Sequence, residues 1–450
     1  MTNQRTSGRR VGPLVRQLGA AGLILLAGCK SLLDVDNPNN VSSTALDNPV
    51  AAPAIVAGAE NIAGNALSSL LNAAVPASDE AYWVGSRDDY RLLDNGGFEA
   101  VANEYVQSGY IIMSKARWMA NQAIEKVSGF DNAGKLLNRQ LLVRAYVNAA
   151  VIYTAIGDNY NDVAFSDRTV AGPNLGEANM GQVYDSALVY LNLAQPIATG
   201  ANQAIVLAMR ARVRHAKGVW TKLNSPKGTP SASPLVQDAA MLADAQAALA
   251  LMSGDYRYDA VTNDLNQGDG SGGGFGFEMN SRVEYTLSQT LATIDPNSGL
   301  PTAIIASDPV TATLDASAVV NLRRVINSVQ PNSPPIGLTS AREMRLIIAE
   351  HQLAAGSNVN FDAAINGLRA MDGKAAYTGS GPTRSALLQW ERRINLIFMA
   401  RRLSDMYRFG VVDPTWIVTN IARRKPGCFF PIPQIEIDSN TLLTGVTACT

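Results

Sequence analysis

The sequence predicts a mainly α-helical protein, built of tetratricopeptide-like helical hairpins with irregular loops and a few short strands. Three observations carry that expectation. Long proline-free segments repeat apolar residues at helical spacing, as Leu142, Tyr146, Ala149, Ile152, Tyr153 and Ile156 do within Leu136 to Ile156. Alanines such as Ala57, Ala59 and Ala63 stand where neighbouring helices would touch. Connectors such as Asn224 to Pro234 concentrate Gly, Pro and Ser between the periodic segments. No clean 34-residue self-similarity is present, so any repeat is degenerate.

Taken in order, the chain opens on an address. Arg5, Arg9, Arg10 and Arg16 make a basic start without an acid, and the apolar run Leu18 to Gly28 is too short for a permanent membrane span. Leu26-Ala27-Gly28-Cys29 reads as a bacterial lipobox, which makes 1–28 a lipoprotein signal peptide and Cys29 the lipidated residue. The residues after Arg9-Arg10 do not continue a twin-arginine motif, so Sec export is expected. Several acyl chains on one cysteine anchor stably where a single chain would not. Lys30, in place of an aspartate, favours the outer membrane. Residues 29–50, rich in Asn, Asp, Ser and Pro, form a tether, and 51–450 a single helical domain. Removing the four arginines takes the net charge from −1 to −5. That balance argues against nucleic acid, which calls for a clustered basic face.

Helices are expected over Ile55–Asn72, Phe98–Val127, Leu136–Ile156, 181–194, 202–223, 236–252, 340–355, 361–371 and 384–408. Between the first two, the loop Val75–Gly97 carries Tyr82, Trp83 and Tyr90 among five acids. Residues 254–338 break the helical regime with Gly, Asn, Pro and short β-branched runs, and Gly268 to Phe277 reads as a loop tip.

Chemistry-bearing motifs are sparse. His215 and His351 each lack a second ligand at metal spacing, and neither a nucleophile elbow nor a phosphate loop is present. Asp264, Asn266 and Asp269 approach a calcium-loop spacing, but Asp269 stands where the turn glycine belongs. No metal and no cofactor are therefore expected. Cys428 and Cys449 either close a disulfide or stand as two thiols near a surface tail, and an oxidising compartment favours the bond.

The stretch Trp390 to Gly410 is the sharpest feature. By itself it reads as a buried helix with threaded charges, Arg401 and Asp405 at i,i+4 spacing, and Gly410 as its stop. Its order Glu391-Arg392-Arg393, Leu396, Phe398, Arg402, Asp405, Arg408, Gly410 resembles the C-terminal signature of SusD/RagB proteins, with Met399-Ala400 replacing the usual Glu-Gly. Arg345–Gly356 with Ala363–Arg369, Phe430–Asn440, Tyr160–Phe165 and Cys29–Asp34 are similar to further segments of that family. The resemblance covers nearly the whole mature chain, is firmest over 340–440, and leaves 255–335 as the variable, ligand-facing region.

The resemblance implies a surface-exposed outer-membrane lipoprotein, not an enzyme. It would bind a nutrient, most naturally a glycan, and deliver it to a TonB-dependent SusC/RagA-type transporter. An exported helical glycoside hydrolase and a helical-repeat envelope scaffold are the alternatives. Candidate ligand residues are Tyr82, Trp83 and Tyr90 in the first loop, and Tyr256, Tyr258, Phe275 and Phe277 in the variable region. Singly, each of these aromatics reads first as a core filler; the two clusters together read equally well as a ligand face.

Overall fold

The computed structural model describes residues 45–167, 170–224, 228, 229, 231–260, 262, 274–326, 330–443, 446 and 449. The signal peptide, Cys29, most of the tether and the 264–269 calcium-like spacing lie outside them. Pro49–Thr450 forms one compact unit.

Four helical pairs organise that unit. Helix α1 (Ala52–Ala74) packs on α3 (Glu104–Asn132), with the short α2 (Asp88–Asp94) between them in sequence. Next come α4 (Gln140–Asn159) with α5 (Gly181–Ala194), then α6 (Ala201–Leu223) with α7 (Ala239–Leu251). Last is α10 (Ala341–Ala354) with α11 (Asn358–Arg369). Each pair also contacts the next; the first three pairs share one continuous core, while the α10–α11 pair centres on a second cluster with Leu346, Phe361, Ile365 and Leu368. Helix starts follow local chemistry. Asn103 caps α3 by accepting from Tyr105 and Val106 at 3.1 and 3.2 Å, and Ser340 caps α10 by accepting from Glu343 at 3.1 Å.

The described part of 254–338 is more ordered than its composition suggests; residues 268–273 of the expected loop tip lie outside it, and Phe275–Phe277 begin a helix. That part holds α8 (Phe275–Asn280), α9 (Ala316–Ile326) and, among the described residues, five of six short strands: β2 (Arg257–Asp259), β3 (Tyr285–Leu287), β4 (Ala292–Ile294), β5 (Pro301–Ile304) and most of β6 (Gly337–Ser340). With β1 (Ala81–Trp83) they make three antiparallel ribbons, β1–β3, β2–β6 and β4–β5. Acids of this region stitch it to the C-terminal helices. Arg342 binds Asp255 at 2.7 Å, Arg369 binds Asp308 at 2.8 Å, and the Trp390 indole donates to Asp315 at 2.8 Å.

The expected helix 384–408 is two helices, α12 (Arg384–Asn395) and α13 (Arg402–Phe409). Between them Phe398 and Ala400 adopt φ of 56° and 54°. The bend turns Arg401 away from Asp405, and its guanidinium pairs with Glu343 instead. Sequence spacing could not show this, because i,i+4 pairing presumes an unbroken helix. Ala400 thus sits in a left-handed conformation that costs an L-residue about 1–2 kcal/mol. Ala400→Gly is expected to raise unfolding free energy by about 0.5–1 kcal/mol, after allowance for glycine's greater unfolded-state entropy. Urea denaturation checks it; a loss of stability would refute the strain.

Candidate ligand-binding face

The predicted aromatics fall into separate places. Tyr90 and Phe275 are both 0% exposed. Tyr90 stacks on Tyr105 at 3.6 Å and meets Tyr285 edge-on, and Phe275 packs near Phe398 at 6.1 Å. Both are therefore corrected from ligand candidates to core fillers. An acidic loop composition misled here, because α2 folds its apolar side inward. Tyr82, Trp83, Tyr256, Tyr258 and Phe277 remain half-buried.

Tyr82 and Trp83 lie on β1, paired Tyr82↔Thr286 and Trp83↔Tyr285. Side chains alternate along a strand, so Trp83 shares its face with buried Tyr285 and Leu287 while Tyr82 points the other way. Trp83 packs against the core, which favours its role as an anchor. Tyr82 accepts a hydrogen bond from the exposed Gln289 amide at 3.2 Å. Beside it Ser288 and Thr290 share a hydroxyl contact at 2.9 Å. One phenol ring edged by an amide and two hydroxyls is the chemistry that receives a polyhydroxylated ligand.

The signature arginines hold this strand. Arg402 grips Asp79 with two hydrogen bonds, 2.6 and 2.8 Å, while Arg393 donates to the Asp79 carbonyl at 2.9 Å and to Thr290 at 2.8 Å. Burial pushes the Asp79 carboxyl up, but Arg402 and Arg393 outweigh it and hold it below its usual range. Glu80 accepts from the Phe398 N–H at 3.0 Å, and burial with the neighbouring Asp79 charge pushes it up to about 8. Asp94 accepts from the Trp83 N–H, and burial with the nearby Asp413 pushes it up to about 7. After Trp83, Glu284 accepts from the Ser86 and Arg87 N–H groups at 2.8 and 3.0 Å. Only glycine fits at Gly85, where a Cβ would lie 2.6 Å from the Glu284 Cα.

The remaining signature residues form a buried lattice. Arg392 and Arg408 each reach Asp405 at 2.8 Å, Arg408 also binds Glu350, and Glu350 meets His215 at 2.9 Å. Glu391 lies between Arg369 at 2.8 Å and Lys374 at 2.9 Å. Cys428 and Cys449 are disulfide-bonded. Tyr258 stands elsewhere, lining a cavity of about 180 Å³ with Glu60, Arg144, Asn148 and Asn202. Tyr256 packs half-buried beside β2, and Phe277 sits on α8. Among the described residues, no group of three or more His, Cys, Asp or Glu could hold a metal. Gln289, Thr290 and the clamp on Asp79 were not foreseen. Asp79 and Glu80 were visible in the loop, but their partners lie over 300 residues away.

No family model matches the chain, and no curated protein matches it in sequence. The stacked helical pairs with short ribbons define a helical-repeat architecture, and solved structures share it. A SusD superfamily protein from Bacteroides fragilis matches with TM-score 0.61 at 13% identity, over 88% of this chain and 99% of its own. One from Parabacteroides distasonis ATCC 8503 matches with TM-score 0.59 at 14% identity, over 90% and 99%. A SusD-like carbohydrate binding protein from Bacteroides vulgatus ATCC 8482 matches with TM-score 0.51 at 13% identity, over 80% and 83%. The chain has a SusD-like fold.

Proposed function

We propose that this protein is a SusD/RagB-type lipoprotein, anchored through Cys29 to the outer membrane and exposed at the cell surface. It binds a glycan without covalent chemistry and passes it to a TonB-dependent SusC/RagA-type transporter. The observation that carries the reading is the extent of the likeness, which spans about nine-tenths of this chain and nearly all of its neighbours. One similar structure is itself called a carbohydrate binding protein. The Tyr82 edge adds a surface of suitable chemistry, and the family-signature residues support it from behind.

Binding of the detergent-solubilised full chain to a panel of oligosaccharides, measured by calorimetry, tests the reading. Tyr82→Ala is expected to weaken binding from several-fold to about tenfold, the value of one aromatic contact. Its melting temperature should hold, because the side chain is half-exposed. Affinity for every bound glycan equal to that of the parent would remove Tyr82 from the site. Pull-down of the same chain from outer membranes should bring a large β-barrel with it, and a preparation free of one would refute the transporter partner.

A further inference from the structure

The hydrogen bonds along the rim beside Tyr82 run in one direction. Arg393 of α12 donates to the Thr290 hydroxyl at 2.8 Å, and Thr290 shares a 2.9 Å contact with the Ser288 hydroxyl. Gln289 donates to the Tyr82 phenol at 3.2 Å. We infer that this rim reads a carboxylate, and that the glycan bound here carries a uronic acid whose carboxylate docks on Tyr82, Ser288 and Thr290 with Arg393 behind them. Such a subsite exists only if the Tyr82 edge is the glycan-binding face proposed above.

The protons set the polarity of the rim. Ser288 and Thr290 carry two hydroxyl protons, and their mutual contact uses one of them. Arg393 occupies an acceptor position on Thr290 and offers none in return, since a guanidinium only donates. The second proton has no acceptor among the described residues. Tyr82 is in the same state, because Gln289 donates to its oxygen and no described residue accepts the phenol proton. These groups are half-buried or exposed, so a ligand can reach them. Two outward protons are matched best by a partner that only accepts, and an ionised carboxylate is that partner. The Gln289 carbonyl is left to receive a hydroxyl of the same sugar.

The charge behind the rim has the matching sign. Arg393 makes no hydrogen bond to a carboxylate: it donates to the Asp79 carbonyl at 2.9 Å and to Thr290, and its Nε has no acceptor among the described residues. The Asp79 carboxylate lies 3.3 Å from Arg393 but is already held by Arg402 at 2.6 and 2.8 Å. Glu80 keeps its proton to about 8 and is mostly neutral at pH 7. Asp413, another acid that Arg393 feels, is turned to the Thr415 N–H and hydroxyl at 2.9 and 2.7 Å. Burial, with the Arg402 charge, pushes the Arg393 guanidinium down despite Asp79. A ligand carboxylate takes the outward protons and offsets that charge through Thr290, each hydrogen bond polarising the next.

The rim is also held in place. Ser288 donates its N–H to the Glu80 carbonyl at 3.0 Å, and its own carbonyl accepts from Leu291 and Ala292 at 2.8 and 3.1 Å. Arg393 joins the same turn to the neighbouring Asp79 carbonyl. Groups fixed before the ligand arrives lose little freedom on binding it.

The probes are trimers of galacturonic, glucuronic and mannuronic acid, each paired with its own methyl ester, which keeps the skeleton and removes the charge. Calorimetry on the full chain in detergent at pH 7 measures both members of each pair. At least one acid is expected to bind roughly tenfold more tightly than its ester, about what a charge-assisted hydrogen bond adds over a neutral one. The ratio should shrink at high salt, because the rim is open to solvent. Thr290→Val keeps the side-chain shape and breaks the path from Arg393. It should bring the two affinities together with the melting temperature unchanged, since Thr290 is exposed. Esters that bind as tightly as their acids overturn the uronate subsite and leave the Tyr82 edge as a face for neutral glycans. Binding of neutral oligosaccharides with no binding of any uronate does the same. An acid preference that survives Thr290→Val puts the carboxylate elsewhere and removes this rim. If sugars of neither kind bind, the glycan-binding reading fails and the subsite with it. A triglutamate peptide that binds more tightly than every uronate overturns the sugar assignment.

Discussion

Arg408→Ala is expected to lower the unfolding free energy by about 3–5 kcal/mol, the usual effect of removing one partner from a buried pair. Arg408 is among the largest wholly buried side chains and serves Glu350, Asp405 and the Pro234 carbonyl together. Truncation leaves two carboxylates with fewer partners in a site that water does not reach. Burial pushes Glu350 and Asp405 up, yet the facing arginines outweigh it, holding Glu350 well below its usual range and Asp405 at about 2. Both acids are therefore ionised when folded, and their contribution is present above the ordinary carboxylate range and lost as pH falls towards 2. Guanidinium denaturation of the parent and Arg408→Ala at neutral pH measures the effect. A difference under about 1 kcal/mol would place this pair with surface ion pairs and sink the account. The double replacement Arg408→Met with Glu350→Gln should recover part of the loss, because it removes one of the two stranded charges as well as their shared partner.

The second large effect has the opposite pH sign. Glu80 holds its proton to about 8 in the folded chain, against an ordinary value of 4.5. The unfolded chain releases that proton near pH 4.5, so stability is fully present below that value and falls as pH rises towards 8. The whole window corresponds to a loss of about 5 kcal/mol from Glu80. Asp94, raised to about 7 from 3.8, acts in the same direction over its own window. Glu80→Gln keeps an acceptor for the Phe398 N–H and removes the titration. It should flatten the fall in melting temperature between pH 5 and pH 8, with the gain over the parent greatest at pH 8. Parallel melting curves for the two proteins across that range would show that Glu80 does not titrate as described.

Much of the helical frame was legible in the chain. Residues 181–194 were placed to the residue, and the other unbroken long helices to within six residues at each end, because alanine-rich amphipathic periodicity is a local property. The break at 396–401 was not legible. It depends on Glu80 receiving the Phe398 N–H from a segment 318 residues away, and periodicity runs through it undisturbed. Helix α9 was also missed, since Gly, Asn and Pro around it dominate the local composition.

For the site, the sequence by itself identified the aromatic-bearing loop, the signature arginines and the cysteine pair. It could not say which aromatics face outward. Tyr82, Trp83 and Tyr90 are near neighbours in one polar loop, yet strand alternation and the fold of α2 send them to three different environments. Only the tertiary structure joined Arg393 and Arg402 to Asp79, and so gave the signature a task behind the Tyr82 edge. Helical periodicity and turn composition are written in neighbouring residues, so one sequence reveals them. Burial and the pairing of charges depend on which distant segments arrive together, and that is decided when the chain packs.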